Sequence, residues 1–157
     1  MTGKTRPTSV KESLFVTKHE SLTDILCDHD LASLGDAYVN LVYSLALSRK
    51  EGKPVGRKAD SYRLSLALRQ VGLRKLLPSR TDRHKQADAA EALIVYGWLM
   101  GTVSLEAALS AMEKGETEEE SFVILLRTTM QELGVTLTAS IRGSDKLAEG
   151  DAREAPE

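Results

Sequence analysis

Apolar residues recur along this chain at three- and four-residue intervals, the spacing that lines one face of an α-helix. The clearest case runs from about Asp30 to Lys50, where Leu31, Leu34, Tyr38, Leu41, Val42 and Leu45 fall on one arc. Gly52 stands where a helix stop belongs, and Pro54 lies just beyond it. Upstream, Ser21 reads as an N-cap with Asp24 three residues on, which predicts a short helix through Leu22, Ile25 and Leu26. A further helix is expected over Arg57–Val71, with Tyr62, Leu64, Leu66 and Leu68 as its apolar members. Gly72 ends it, and Leu73–Leu77 add one turn before Pro78.

Ser79–Lys85 is polar and basic, a loop by composition. The following helix, about Gln86 to Met100, is apolar almost all round in its second half, so it belongs at the centre of a bundle, with Tyr96 and Trp98 as core residues. Ser104 caps a helix reaching about Lys114 through Leu105, Ala108, Leu109 and Met112. Thr117 and Glu120 form a capping box for a last helix, about Glu118 to Leu133, closed by Gly134. Val135–Ile141 alternates apolar and hydroxyl residues and suggests an extended segment. No repeat and no strand-rich region is present, so the expected fold class is all-α. The expected organisation is a flexible arm over 1–9, one helical domain over 10–141 and a disordered acidic tail over 142–157.

Composition narrows the setting. Leu and Ala dominate, and the single cysteine, Cys27, excludes an internal disulfide; it is expected to be a small buried residue. The longest near-continuous apolar run, Ala92–Met100, is too short to span a bilayer, and no apolar run follows Lys4 and Arg6 as in a signal peptide. A cytoplasmic protein with no membrane partner is expected. Net charge is only −2, yet Arg49–Lys85 carries twelve Lys or Arg against three acids. Such asymmetry points to an anionic partner such as nucleic acid, or to a solvated helix face.

Two windows carry candidate chemistry. In Asp28–Ala37, Asp36 lies roughly 140° from Leu31 at 100° per residue, with Asn40 one turn further on the same side. Gly35, directly before Asp36, allows another backbone or a ligand to come close. In Gln86–Ile94, Asp88 and Glu91 are neighbours on one side of a helix, surrounded by alanines at the head of the most apolar segment. Carboxylates placed there cost free energy unless a cation or donors meet them. Oxygen ligands without a Cys or His cluster favour Mg²⁺ or Mn²⁺ over Zn²⁺. Helix-terminal surface acids favoured by the macrodipole are the competing reading. No phosphate-binding glycine loop exists, Ser33 has no triad partners at an arguable spacing, and His29 and His84 receive no role.

Leu34-Gly35-Asp36 and Ala87-Asp88-Ala89-Ala90-Glu91-Ala92-Leu93 resemble, in order and separation, the two metal-binding motifs of the ribonuclease III catalytic domain. The likeness covers roughly Asp28 to Met112. It implies that Asp36, Asp88 and Glu91 hold Mg²⁺ or Mn²⁺, that Asp36 and Glu91 are catalytic, and that the protein is a homodimer cleaving structured or double-stranded RNA. Arg80, Arg83 and Lys85, just before Asp88, are the expected RNA-binding residues. Where the family's first motif usually has a Glu four residues before the Asp, this chain has Ala32, and His29 stands at the usual earlier Glu. In this the chain is similar to the compact mini-ribonuclease III type, which has no double-stranded RNA-binding domain. A non-catalytic RNA-binding or ribonucleoprotein component of the same fold is the alternative.

Overall fold

The computed structural model describes residue 15 and residues 17–134. The arm over 1–9, the extended segment expected at Val135–Ile141 and the tail over 142–157 lie outside the described residues. Among the described residues there are helices and loops but no strand. The order is α1 (Leu22–Leu26), α2 (His29–Glu51), α3 (Ser61–Gln70), a 3₁₀ turn (Arg74–Leu76), α4 (Arg83–Leu99), α5 (Leu105–Glu113) and α6 (118–134). The fold class is all-α. No helix among these residues is long and apolar enough to cross a membrane.

Short polar side chains set where the helices begin. Ser21 accepts from the Asp24 amide at 3.1 Å, Ser104 from Ala107 at 3.1 Å, and Thr117 from Glu120 at 3.1 Å. Each such cap contributes about 1 kcal/mol. Two caps that the apolar pattern did not reveal move helix boundaries. Asp60 accepts from the Tyr62 amide at 2.8 Å, so α3 starts at Ser61 rather than near Arg57. Asp82 accepts from the Lys85 amide at 2.9 Å, so α4 starts at Arg83 and Arg83 and Lys85 belong to its first turn rather than to a loop.

The segment between α2 and α3 stays extended because α2 captures its backbone. Asn40, Ser44 and Ser48 stand four residues apart on one side of α2. Ser48 accepts from the Val55 amide, Ser44 from the Arg57 amide and Asn40 from the Ala59 amide, at 2.8 to 2.9 Å.

α4 is the central helix, packed against α1, α2 and α3. Ala89, Ala90, Ala92, Leu93 and Val95 are fully buried. Gln86, buried at its head, is satisfied by donating to the Thr81 carbonyl at 3.0 Å and accepting from Arg69 at 2.8 Å.

α2 meets this helix on a face different from the expected one. Ala32, Gly35, Tyr38, Val39 and Val42 are buried, whereas Leu34 and Leu41 are 40% and 49% exposed. Val39 sits in the core, Tyr38 stacks on Trp98 at 4.8 Å, and Tyr43 tilts against Phe122. The small residues decide the orientation, because they let α4 come closer than any leucine would. Cys27 also departs from expectation. It ends α1, its amide bonded to the Thr23 carbonyl, and its side chain is exposed rather than buried.

A methyl group on Gly35 would lie 2.3 Å from the Glu91 carbonyl oxygen. Gly35→Ala is therefore expected to destabilise the protein by about 1–3 kcal/mol, although alanine is the better helix former by about 1 kcal/mol. Gly56, with open space around its α-carbon, is the control: Gly56→Ala should be neutral or slightly stabilising. Urea melts of both variants check this, and equal stabilities would contradict the close crossing.

Candidate active site

The helix crossing creates the site. Because Gly35 lets α2 press on the Glu91 backbone, the next residue of α2, Asp36, comes to one cavity with Glu91 and with Asp88, one turn earlier on α4. Of about 460 Å³, this cavity is also lined by His29, Lys58 and His84. The sequence-predicted carboxylates thus line one cavity, and the question left open by Gly35 is answered: what comes close is another backbone.

Each carboxylate is held differently. Asp36 is exposed and accepts from the Asn40 side-chain amide at 3.3 Å, while the Asn40 carbonyl oxygen takes the Ala59 amide. The α2–α3 connection therefore orients Asp36 and also delivers Lys58 to the cavity wall. Glu91 is only 6% exposed, and among the described residues its carboxylate has no hydrogen bond or salt bridge. Burial pushes its pKa up to about 8, Asp36 and then Asp88 push the same way, and Lys58 pulls weakly back. Asp88 is also raised, first by burial and then by Asp36 and Asp82, against the attraction of His29 and His84.

A buried acid beside two others, without a donor of its own, is the arrangement that a bound cation stabilises. Among the described residues, no group of three or more His, Cys, Asp or Glu is gathered closely enough to hold a metal ion. Asp36, Asp88 and Glu91 share the walls of a cavity rather than a closed ligand sphere. Their oxygen donors fit a hard divalent ion that keeps several of its waters.

Acids close to the site in sequence do not join it. Asp28 accepts from the Asp30 and Leu31 amides at 3.0 Å, capping α2, and meets His19 at 2.7 Å. Although burial opposes it, these hydrogen bonds and the charge on His19 hold Asp28 below its ordinary pKa. Asp30 is exposed on the first turn of α2.

The basic segment is divided between structure and surface. Arg49 bridges Glu113 at 2.9 Å and Glu106 at 3.3 Å, Arg63 meets Glu119 at 3.6 Å, and Arg74 donates to the carbonyls of Pro78 and Ser79. Arg80 and Lys85 line a second hollow that adjoins the carboxylates at Asp88. Arg83 lies over the Tyr62 ring at 5.6 Å instead, on the α3 side. A larger hollow of about 730 Å³ between α2, α5 and the start of α6 contains no such convergence of unpartnered acids. Its Arg49 is bridged, and its Glu118 accepts from the Asp60 amide.

Sequence reasoning passed over Lys58 as one charge among twelve, and left His29 and His84 without a place. Their spacing carries no signal, since each reaches the cavity from a different element.

A ribonuclease III family model matches residues 29–141. No curated protein sequence matches the chain. The matched region takes in most of the chain, including both carboxylate windows and the helices that bring them together, and on that ground the chain belongs to the ribonuclease III family.

Proposed function

We propose that this protein is a divalent-metal-dependent endoribonuclease that cleaves structured or double-stranded RNA by phosphodiester hydrolysis. The observation that carries the reading is the meeting of Asp36, Asp88 and Glu91 in one cavity, with Glu91 buried and without a donor among the described residues. Asp36 and Glu91, from two helices, are the residues expected to hold Mg²⁺ or Mn²⁺ most directly, and Asp88 completes the set. When bound, such an ion supplies charge that stabilises a reacting phosphate and makes water a better nucleophile. Lys58, Arg80 and Lys85 supply cations around the acids for the RNA backbone, with Arg83 over Tyr62 a more distant contact, and A-form shape rather than sequence would be read. The cytoplasm is the proposed location, in keeping with a chain whose single cysteine rules out an internal disulfide.

Homodimerisation belongs to the same proposal. The exposed apolar surface of α2 is Leu34, Ala37 and Leu41, continued by Leu45, Pro54 and Val55 around a shallow hollow. A second copy of α2 would cover it and set two carboxylate clusters in one assembly.

One observation favours a second reading. Ala32 is buried in the cavity wall, at the position where the first ribonuclease III motif usually has a further Glu. A protein that binds RNA without cutting it would fit that gap.

Cleavage separates the two. The wild type should cut duplex RNA with Mg²⁺ or Mn²⁺ and not with EDTA, and Asp36→Asn or Glu91→Gln should each lower the rate by roughly a hundredfold or more. RNA binding without cleavage in either ion would replace the enzyme with the binding protein. For the dimer, light scattering at micromolar concentration should return twice the chain mass, and Leu34→Glu with Leu41→Glu should return the single mass. A wild type at the single mass would retire the dimer.

A further inference from the structure

Beside the carboxylate cavity lies the second hollow, of about 380 Å³, within the size range of small-ligand sites. Leu26 and Leu77 give it a buried apolar floor, Pro78 extends that floor to the rim, and Arg80 and Lys85 stand exposed at its mouth. His29, Ala32 and Asp88 line both cavities, so the two share a wall.

The lining has two chemistries at opposed places. An apolar floor accepts the face of a flat ring, and exposed cations accept a phosphate. Asp28 is taken up by the Asp30 and Leu31 amides and by His19, whereas Asp88, exposed where the two cavities meet, is an acceptor suited to a base's exocyclic amino group. A ring, a phosphate and an amino donor together describe a nucleotide whose base is not stacked in a helix. A paired base cannot enter, because its faces are covered and its edge is engaged.

We propose that this hollow is a subsite for one unpaired nucleotide of the RNA, next to the scissile phosphate, with the base over Leu26 and Leu77 and its phosphate at Arg80 and Lys85. The inference rests on RNA being the substrate. It makes a bulge or internal loop near the cleavage point a recognition element, and directs the protein to structured RNA over unbroken duplex. Free nucleotides share the same chemistry, and the experiment below distinguishes the two sources.

Cys27 lines this hollow, is exposed, and is the single cysteine of the chain, so its alkylation reports occupancy without any cleavage. The experiment follows the rate of Cys27 modification by iodoacetamide in EDTA. Additions are adenosine monophosphate, inorganic phosphate, a duplex RNA with one bulged adenosine, or its fully paired parent. At about four times its dissociation constant, a ligand filling the hollow should slow alkylation roughly fivefold. The bulged duplex is expected to do this at the lowest concentration, adenosine monophosphate at a higher one, and phosphate not at all. Arg80→Gln should abolish the protection, measured as the ratio of alkylation rates with and without ligand for the same variant.

Equal protection by bulged and paired duplex would overturn the proposal. So would protection by adenosine monophosphate without an advantage for the bulged duplex, which would make the hollow a free-nucleotide site. Protection by phosphate alone would reduce it to an anion site. Because metal is absent throughout, a protein that cuts nothing can still show the protection, and a competent nuclease can still lack it.

Discussion

The contact between Gly35 on α2 and the Glu91 backbone on α4 is the constraint on which the rest depends. A helix pair separated by ordinary side chains would leave Asp36 and Glu91 on different surfaces of the bundle. With a glycine at the crossing, the helices close to a separation that only the absence of a β-carbon permits. That approach has two consequences at once. It sets the buried face of α2 as Ala32, Gly35, Tyr38, Val39 and Val42, and it delivers the next side chain, Asp36, to the cavity of Asp88 and Glu91. Fold and site are therefore one feature.

The arrangement is electrostatically costly as it stands. Three acids share a cavity, and the most buried of them is held by no donor among the described residues, while Lys58 opposes the crowding at Glu91 only in part. A core would be more stable with an apolar residue at position 91, as one partner of a buried charge set is expensive when left unmatched. The cost is intelligible if a cation joins them in the working state. Ala32 fits the same picture from another side. It adds no charge to be neutralised, and it stands in the wall shared by the carboxylate cavity and the hollow holding Arg80 and Lys85.

Much of this was legible in the residues, and the misreadings share a cause. Helix number and order followed from apolar spacing, and Ser21, Ser104 and Thr117 marked real helix starts. Both acidic windows were recognisable because each is local. What the pattern misjudged was which side of α2 faces inward: it weighted the leucines, whereas packing selected the small residues that permit the closest approach, leaving Leu34 and Leu41 outside. The early starts assigned to α3 and the late start assigned to α4 came from reading Asp60 and Asp82 as ordinary polar residues rather than caps. Lys58, His29 and His84 were invisible as a group because tertiary structure, not spacing, brings them to one cavity. Cys27 was expected inside on its apolar character alone, but the end of a five-residue helix leaves it in solvent.

The central claim, that the α2–α4 crossing crowds Glu91 against Asp36 and Asp88, has a direct thermodynamic signature. A carboxylate whose folded pKa is raised above its unfolded value contributes stability that is full below the unfolded value and is lost as pH rises through the folded one. For Glu91 that window runs from about 4.5 to about 8. The measurement is unfolding by urea in EDTA at a series of pH values across that window, for the wild type and for Glu91→Gln. The account predicts that the wild type loses stability relative to Glu91→Gln as pH rises from 4.5 to 8, with the difference levelling off above that. A stability difference between the two proteins that stays flat across the window would contradict it, because Glu91 would then be an ordinary solvated acid.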